Sequence, residues 1–131
     1  MRPLGYWIKE IDRRVEAEFG RVLAAEGVTR RHWQVLTTLA QRPAVAGTEL
    51  DAALAPFAPT VRPQVDDLVD RGWAAETAGT VTLTPAGRAA HDRLAEQVEA
   101  FRARVTEGLS AQDYRTLITL LERVAGNLTP A

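Results

Sequence analysis

The sequence contains no cysteine, one serine, two histidines and one lysine among its 131 residues. Without cysteine there is no disulfide, no thiolate metal site and no thiol redox switch. A serine nucleophile would have to be Ser110, and His32 and His91 are too few to hold a transition metal without many carboxylates. We therefore expect no enzyme active site, no metal and no cofactor.

Long apolar segments are missing as well. No uninterrupted apolar run approaches the roughly 20 residues that span a bilayer, and Lys9 and Glu10 end the apolar stretch at the N-terminus. Hydrophobic residues make up 46% and charged residues 25% of the chain, which is typical of globular proteins. The length suits one domain. We expect a single cytoplasmic domain over residues 1–131.

Charge is distributed unevenly along the chain, whose net charge is −1. Residues 1–42 carry eight basic and five acidic side chains, whereas residues 43–84 carry two basic and six acidic ones. Apart from Lys9, every basic residue is an arginine. The net charge alone argues neither for nor against a nucleic acid partner.

Three long amphipathic helices are predicted from apolar residues that recur every three or four positions. They cover residues 4–26, 85–107 and 110–128. The second begins at Thr84-Pro85, a capping residue followed by proline at the first helical position. The third begins with a capping box at Ser110–Asp113.

Three shorter helices are predicted between the first two long ones. One is capped by Thr29, and one opens with a capping box at Thr48–Asp51. The third starts at Thr60, so that Pro63 falls in its first turn. A proline-containing break at 56–59 separates the last two helices.

A small β-hairpin is predicted after these helices. Val81 and Leu83 alternate with threonines, and Ala78-Gly79 is suited to the turn that connects this strand to Trp73–Glu76. The resulting element order is that of a winged helix-turn-helix, mainly α with a small β-hairpin wing. In that motif the second helix of the pair, here 60–71, enters the major groove with its N-terminal residues first.

The long helices also bear on oligomeric state. Their apolar stripes extend further than one small domain needs, because a helix of about 23 residues is roughly 34 Å long. Stripes of this kind are commonly buried against a second copy of the chain. We expect a homodimer.

The chain resembles the MarR-type winged-helix regulators over nearly its whole length. The segments that carry the resemblance are VTRRHWQVLTTLAQRP (28–43), TVRPQVDDLVDRGW (60–73), VTLTPAGRAAHDRL (81–94) and LSAQDYRTLITLLERVAGNL (109–128). The resemblance implies that the chain is a DNA-binding transcriptional regulator. It further implies a ligand-responsive repressor that binds pseudo-palindromic promoter DNA as a homodimer. By this resemblance residues 28–87 form the DNA-binding lobe, and residues 1–27 and 88–131 form the dimerisation helices.

Candidate base-reading residues lie at the start of the predicted recognition helix. Arginine can contact guanine bidentately and glutamine can contact adenine, so Thr60, Arg62 and Gln64 are suited to base readout. Thr48, at the start of the preceding helix, completes this predicted set. The alternative is that these are solvated side chains of an ordinary amphipathic helix.

Phosphate contacts are predicted for Arg30 and Arg31. Both lie in the first turn of their helix, where free N–H groups and the helix dipole also favour an anion. A solvated helix end is the alternative interpretation.

Acidic residues oppose these contacts. Asp66, Asp67 and Asp70 follow Arg62 on the recognition helix, and carboxylates repel the phosphate backbone. Alternatively, they point away from the groove or pair with Arg62 and Arg71. The hairpin tip, 76–80, has no lysine or arginine, although wings of the resembled family usually carry an aspartate-x-arginine motif.

The first two helices hold aromatic residues where the resemblance implies a pocket for a small aromatic effector. Aromatic walls with a few polar groups suit such a ligand, but hydrophobic core or dimer interface is the alternative. His91 is expected to face solvent. The predicted pocket residues are Tyr6, Trp7, Phe19, His32 and Trp33.

A second class of function remains open. The acidic recognition segment and the wing without basic residues also fit a winged-helix module that binds a protein or sequesters a ligand, with weak or lost DNA binding. For the regulator, the expected partners are double-stranded DNA, a second copy of the chain and a small aromatic effector, and no membrane is expected.

Overall fold

The computed structural model describes residues 1–55 and 60–130, which form six helices and one three-stranded sheet. The mainly helical winged helix-turn-helix is confirmed, while the predicted break at 56–59 lies outside the described residues. Within those residues, no helix has the length and apolarity needed to cross a membrane. In chain order the elements are α1 (Leu4–Ala24), α2 (Arg30–Gln41), β1 (Val45–Ala46), α3 (Gly47–Leu54), α4 (Arg62–Asp70), β2 (Ala74–Thr77), β3 (Thr80–Leu83), α5 (Pro85–Val105) and α6 (Ala111–Asn127).

The sheet has the strand order β1-β3-β2, with both pairings antiparallel. The predicted hairpin is confirmed as β2 and β3, with Ala78 and Gly79 in the turn at positive φ values of 52° and 79°. Strand β1, whose Val45 pairs with Val81, was not predicted. A strand of two residues is too short to show alternation, so only its partner strand defines it.

The start of α3 corrects a prediction. Its N-cap residue is Ala46, which makes no side-chain cap, and Thr48 lies inside the helix, so the predicted capping box at Thr48–Asp51 is wrong. The reason is the sheet: the Gly47 N–H donates to the Gly79 carbonyl at 2.9 Å, and this fixes where the chain leaves β1 and turns into the helix. Pairing across the sheet therefore decides the start of α3.

Other helix starts follow their local sequence. The Thr29 side chain accepts from the His32 N–H at the start of α2. At α5, Thr84 Oγ1 accepts from the Gly87 N–H at 3.0 Å. The predicted capping box of α6 is confirmed. Helix α4 starts at Arg62, two residues later than predicted, with Pro63 still in its first turn.

The chain divides into two compact units, residues 1–101 and 102–131. In the first unit a single apolar core is drawn from all five helices and the sheet. Completely or almost completely buried side chains include Leu23 of α1, Leu36 and Leu39 of α2, Leu50 of α3, Leu68 of α4, Val81 of β3 and Leu94 of α5. This core packs α3, α4 and the sheet against one another.

Two apolar stripes stay exposed in the single chain. In the first unit, the N-terminal half of α1 exposes Leu4, Ile8 and Ile11. In the second unit, α6 has no buried residue and exposes a stripe formed by Tyr114, Leu117, Leu120 and Leu121.

Candidate nucleic-acid interface

The start of α3, the start of α4 and the wing turn line one open cleft of about 420 Å³. The cleft therefore joins the three parts of a winged helix-turn-helix that face DNA in that motif. Its lining includes Gly47, Thr48 and Asp51 of α3, Val61, Arg62 and Val65 at α4, and Glu76, Ala78 and Gly79 of the wing.

Asp51 fixes the entry into α4. Its Oδ1 accepts from the Thr60 hydroxyl at 3.0 Å and from the Val61 N–H at 2.8 Å. The Thr60 hydroxyl oxygen in turn accepts from the Arg62 N–H at 3.1 Å. These bonds satisfy donors at the helix start that would otherwise lack partners, and they hold α3 and α4 together at the cleft.

Arg62 is the cationic side chain of this cleft, and it is paired. Its Nη1 and Nη2 donate to the two carboxylate oxygens of Glu76 at 2.8 and 3.0 Å, and its Nε donates to Asp66 at 2.9 Å. The hydrogen bonds that Arg62 donates to Glu76, and next those to Asp66, raise the pKa of Arg62 above its ordinary value. The guanidinium thus bridges the recognition helix and the wing.

Two of the recognition-helix aspartates are paired, as one of the sequence alternatives predicted. Asp66 accepts from Arg62, and Asp67 accepts from Arg71 Nε at 2.9 Å. Asp67 Oδ2 also lies 2.9 Å from His32 Nε2 on α2. Asp70 is exposed at the C-terminal end of α4. Pairing offsets part of the negative charge of this helix.

Comparison with known proteins relates this geometry to a family. A family model described as the HVO_A0261 N-terminal domain matches residues 20–106, and this segment belongs to that family. The structure of the Mycobacterium tuberculosis MarR family protein Rv2887 in complex with DNA is 30% identical with a TM-score of 0.76, and the match covers 95% of this chain and 98% of that one. The chain belongs to the MarR family.

Further MarR-type structures share the fold. The apo form of wild-type MarR from Escherichia coli is 23% identical with a TM-score of 0.73, covering 95% of this chain and 97% of that one. BpsR from Bordetella bronchiseptica, whose DNA binding is regulated by 6-hydroxynicotinic acid, is 24% identical with a TM-score of 0.73, covering 94% of each chain. None of the curated proteins matches this sequence significantly. As a MarR-family member, the chain is a winged-helix regulator of transcription.

The predicted base-reading residues of this MarR-family chain have different surroundings. Thr48 and Thr60 are exposed, and Thr48 lines the cleft with Arg62. Gln64 is partly buried, and its Oε1 is enclosed without a hydrogen-bond partner. The structure therefore brings Thr48 and Arg62 to one cleft and leaves Gln64 outside its lining.

The predicted phosphate-binding residues lie at the start of α2 and do not line the cleft. Arg30 Nη1 is 2.7 Å from a Glu16 carboxylate oxygen, and its guanidinium lies 4.9 Å above the Phe19 ring. Arg31 donates to the Gln34 side chain at 2.9 Å. Both residues therefore have partners within the chain.

The predicted pocket residues do not form one pocket within the single chain. Tyr6 and Trp7 are exposed and pack edge to face, with 5.1 Å between ring centroids. Phe19 lies about 18 Å further along α1, at roughly 1.5 Å per residue, and packs in the core beside Phe101. Trp33 is partly buried against the core on α2. Phe19 thus follows the core alternative that the sequence left open.

Both histidines are engaged. Besides its contact with Asp67, His32 accepts the Thr29 N–H at Nδ1, 3.1 Å away, and so completes the cap of α2. His91 was expected to face solvent, and this was wrong: its ring stacks on Trp33 at 5.2 Å and 9°, and only 18% of its side chain is exposed. No local pattern indicates this contact, because 58 positions separate residues 33 and 91.

Two long-range contacts of the site were missed. Arg71 donates to the Glu26 and Gly27 carbonyls at 2.9 and 2.6 Å, which ties the C-terminal end of α4 to the end of α1. Glu76 binds Arg62 across 14 positions. Spacing along one helix predicts an Arg62–Asp66 pair, but it holds no information on a partner from another element.

Proposed function

We propose that the chain is a ligand-responsive repressor that binds pseudo-palindromic promoter DNA as a homodimer. The observation that carries the proposal is the cleft shared by the starts of α3 and α4 and the wing turn, because DNA would meet these three parts on one face of the lobe, with α4 in the major groove. In this proposal residues 28–87 are the DNA-binding lobe, and residues 1–27 and 88–131 supply the dimer contacts.

The DNA contacts are assigned by exposure and chemistry. Thr48, Thr60 and Arg62 are exposed hydrogen-bonding side chains at the N-terminal ends of α3 and α4, where the motif contacts bases. Arg30 and Arg31 would contact phosphates flanking the groove. Gln64 would have to turn outward from its partly buried position to read a base. The DNA complex of Rv2887 supports this class of partner for a chain of the same family.

Dimerisation is supported by the two exposed stripes, on α1 and on α6. Contiguous apolar surface of this kind marks an interaction site on a protein. A twofold dimer covers each stripe with a copy of this chain and places two recognition helices roughly one DNA turn apart.

Regulation by a small aromatic effector is supported by the aromatic residues of α1 and α2. Tyr6, Trp7, His32 and Trp33 are exposed or partly buried, and BpsR is a fold relative regulated by an aromatic acid. An effector that binds better to a dimer with wrongly spaced recognition helices shifts the population away from DNA.

The test is fluorescence anisotropy with the chain's own upstream intergenic DNA and a scrambled duplex of equal length. We expect specific binding whose affinity falls roughly 10³-fold or more between about 50 and 200 mM salt, because several phosphates are neutralised. Arg30→Ala and Arg31→Ala should lower this salt dependence for both duplexes. Arg62→Ala should reduce the preference for the upstream duplex.

A second function is favoured by one observation. The cationic side chain of the cleft is already neutralised by carboxylates, and the wing tip has no basic residue. A module that binds a protein or sequesters a ligand needs no positive cleft. Weak binding to both duplexes that does not change with salt would favour this function over the regulator.

A further inference from the structure

Both hydrogen-bonding edges of the Arg62 guanidinium are occupied by carboxylates of the chain itself. Glu76 takes the edge formed by Nη1 and Nη2, at 2.8 and 3.0 Å. Asp66 Oδ1 lies 2.9 Å from Nε and 2.8 Å from Nη2, on the other edge. A bidentate contact to guanine or phosphate needs one whole edge, so neither is available in this arrangement.

The two carboxylates differ in what they connect. Asp66 is one turn along the same helix, so its contact with Arg62 is local and moves with α4. Glu76 is on β2, two residues before the Ala78-Gly79 turn of the wing, and it lines the cleft. Its contact holds the guanidinium across the cleft against the wing and occupies the edge formed by Nη1 and Nη2.

We propose that Glu76 is a positioning residue that holds Arg62 against the wing and competes with DNA for its guanidinium. The inference rests on the proposed DNA-binding function and adds an element that sets affinity and specificity at the same site. DNA gains the Arg62 contact only by displacing the Glu76 carboxylate. A contact to a well-placed guanine can offset the free energy lost when the Glu76 contact breaks, whereas a contact to a nonspecific phosphate offsets less of it.

The exposure of the Arg62–Glu76 pair favours competition between Glu76 and DNA over a purely structural bridge. Arg62 and Glu76 keep 43% and 28% of their side-chain surface exposed, so the pair is open to an incoming ligand. An exposed pair of this kind is weak enough to exchange partners. The core beneath it includes Val61 and Val65, which are almost completely buried.

The contact itself is tested first, without DNA. Guanidinium ¹⁵N spectra of Arg62 should show restricted rotation in the wild-type protein and faster averaging in the Glu76→Gln variant. Identical spectra would overturn the proposal, whatever the protein binds.

The role in DNA binding is tested by a double-mutant cycle with Glu76→Gln, Arg62→Ala and the double variant on the upstream and scrambled duplexes. We expect Glu76→Gln to bind the upstream duplex on the order of tenfold more tightly, since each exposed pair opposes binding by a factor of a few and a dimer has two. In the Arg62→Ala background the same change should have an effect near unity. Asp70→Asn removes one carboxylate from the far end of α4 and is the matched charge control.

The outcomes separate the two proposals. An equal gain from Glu76→Gln with and without Arg62, or an equal gain from Asp70→Asn, would mean general charge repulsion and overturn the competition. Weaker binding by Glu76→Gln would mean that Glu76 orients Arg62 for readout, which also overturns it. Restricted Arg62 rotation together with no DNA binding by any variant would instead refute the DNA-binding function, and the role of Glu76 with it.

Discussion

At the scale of single residues, Gly87 is a position of α5 where no side chain fits. A Cβ built there would fall well inside contact distance of the Trp73 carbonyl oxygen and carbon, and 2.9 Å from Leu83 Cδ1. The Trp73 carbonyl cannot move away freely, because it accepts the Thr84 N–H at 3.0 Å. The glycine of the Leu-Thr-Pro-x-Gly-Arg segment is therefore required by close packing of α5 on the chain before β2.

Gly87→Ala is expected to lower the free energy of unfolding by about 3 kcal/mol, as overpacking against fixed backbone does. Gly20→Ala is the matched control: Gly20 is inside α1 with open space around it, so alanine should stabilise the protein by about 0.5–1 kcal/mol. Urea denaturation followed by circular dichroism measures both. Equal effects of the two substitutions would contradict the packing explanation.

Glu10 on α1 gives the clearest effect of pH. Hydrogen bonds from Arg13, and next from Arg14, lower its pKa from the ordinary value to about 2. Because the folded pKa lies below the unfolded value of about 4.3, the interaction stabilises the protein fully above pH 4.3, and this contribution is lost as the pH falls toward 2. A carboxyl ¹³C NMR titration should place Glu10 well below 4, and an Arg13→Gln, Arg14→Gln double variant should return it toward 4.3. A normal wild-type pKa would refute the pairing.

At the scale of elements, the wing turn carries a local conflict between residue and conformation. Both central residues have positive φ, as in a type I′ turn, yet the first of them is Ala78. Alanine is sterically disfavoured at positive φ, whereas asparagine tolerates this conformation better, and Asn-Gly is the preferred pair for such turns.

Ala78→Asn is therefore expected to raise the free energy of unfolding by about 0.5–1 kcal/mol, and Ala78→Val to lower it by at least as much. Thermal denaturation of the three proteins gives the order. Stabilisation by valine, or an unchanged midpoint for both variants, would be incompatible with the turn described here.

A helix start could be predicted only where the residues that decide it lie close to it in the sequence. Helices α2, α5 and α6 follow the capping residues Thr29, Thr84 and Ser110 as predicted, because each start is decided by a side chain within three residues. Helix α3 does not start at Thr48, because the sheet contact between Gly47 and Gly79 decides it. Local sequence predicts local caps but not a boundary set by a distant strand.

The same division applies to the candidate site. Residue type and helix position predicted Arg62 at the start of the recognition helix and offered pairing with the aspartates as one of two alternatives, which the Arg62–Asp66 contact bears out. The bridge to Glu76 and the stack of His91 on Trp33 join elements that are distant in sequence, and one chain read without relatives holds no signal for either contact. The surroundings of Gln64 depend likewise on packing between elements.

At the scale of the whole molecule, helix α6 buries none of its residues in the single chain and exposes its apolar stripe, which a second copy covers in the proposed homodimer. Burying a leucine side chain stabilises by about 1.5–3 kcal/mol, so four apolar residues from each copy can supply most of the free energy of a stable dimer. Because a twofold interface uses the same patch on both copies, one substitution acts twice.

We expect sedimentation to show a dimer at micromolar concentration. Leu117→Arg should raise the dissociation constant of this dimer by at least about 100-fold, because each copy loses a buried leucine and the two arginines bring like charges together at the interface. Thr119→Arg places the same charge on the opposite side of α6 and should leave the dimer intact. Circular dichroism should remain unchanged for both variants, because residue 117 is exposed in the single chain. The monomeric variant should also lose its preference for a two-half-site duplex over a single half-site. A wild-type monomer, or equal effects of the two arginines, would show that α6 does not form the dimer interface.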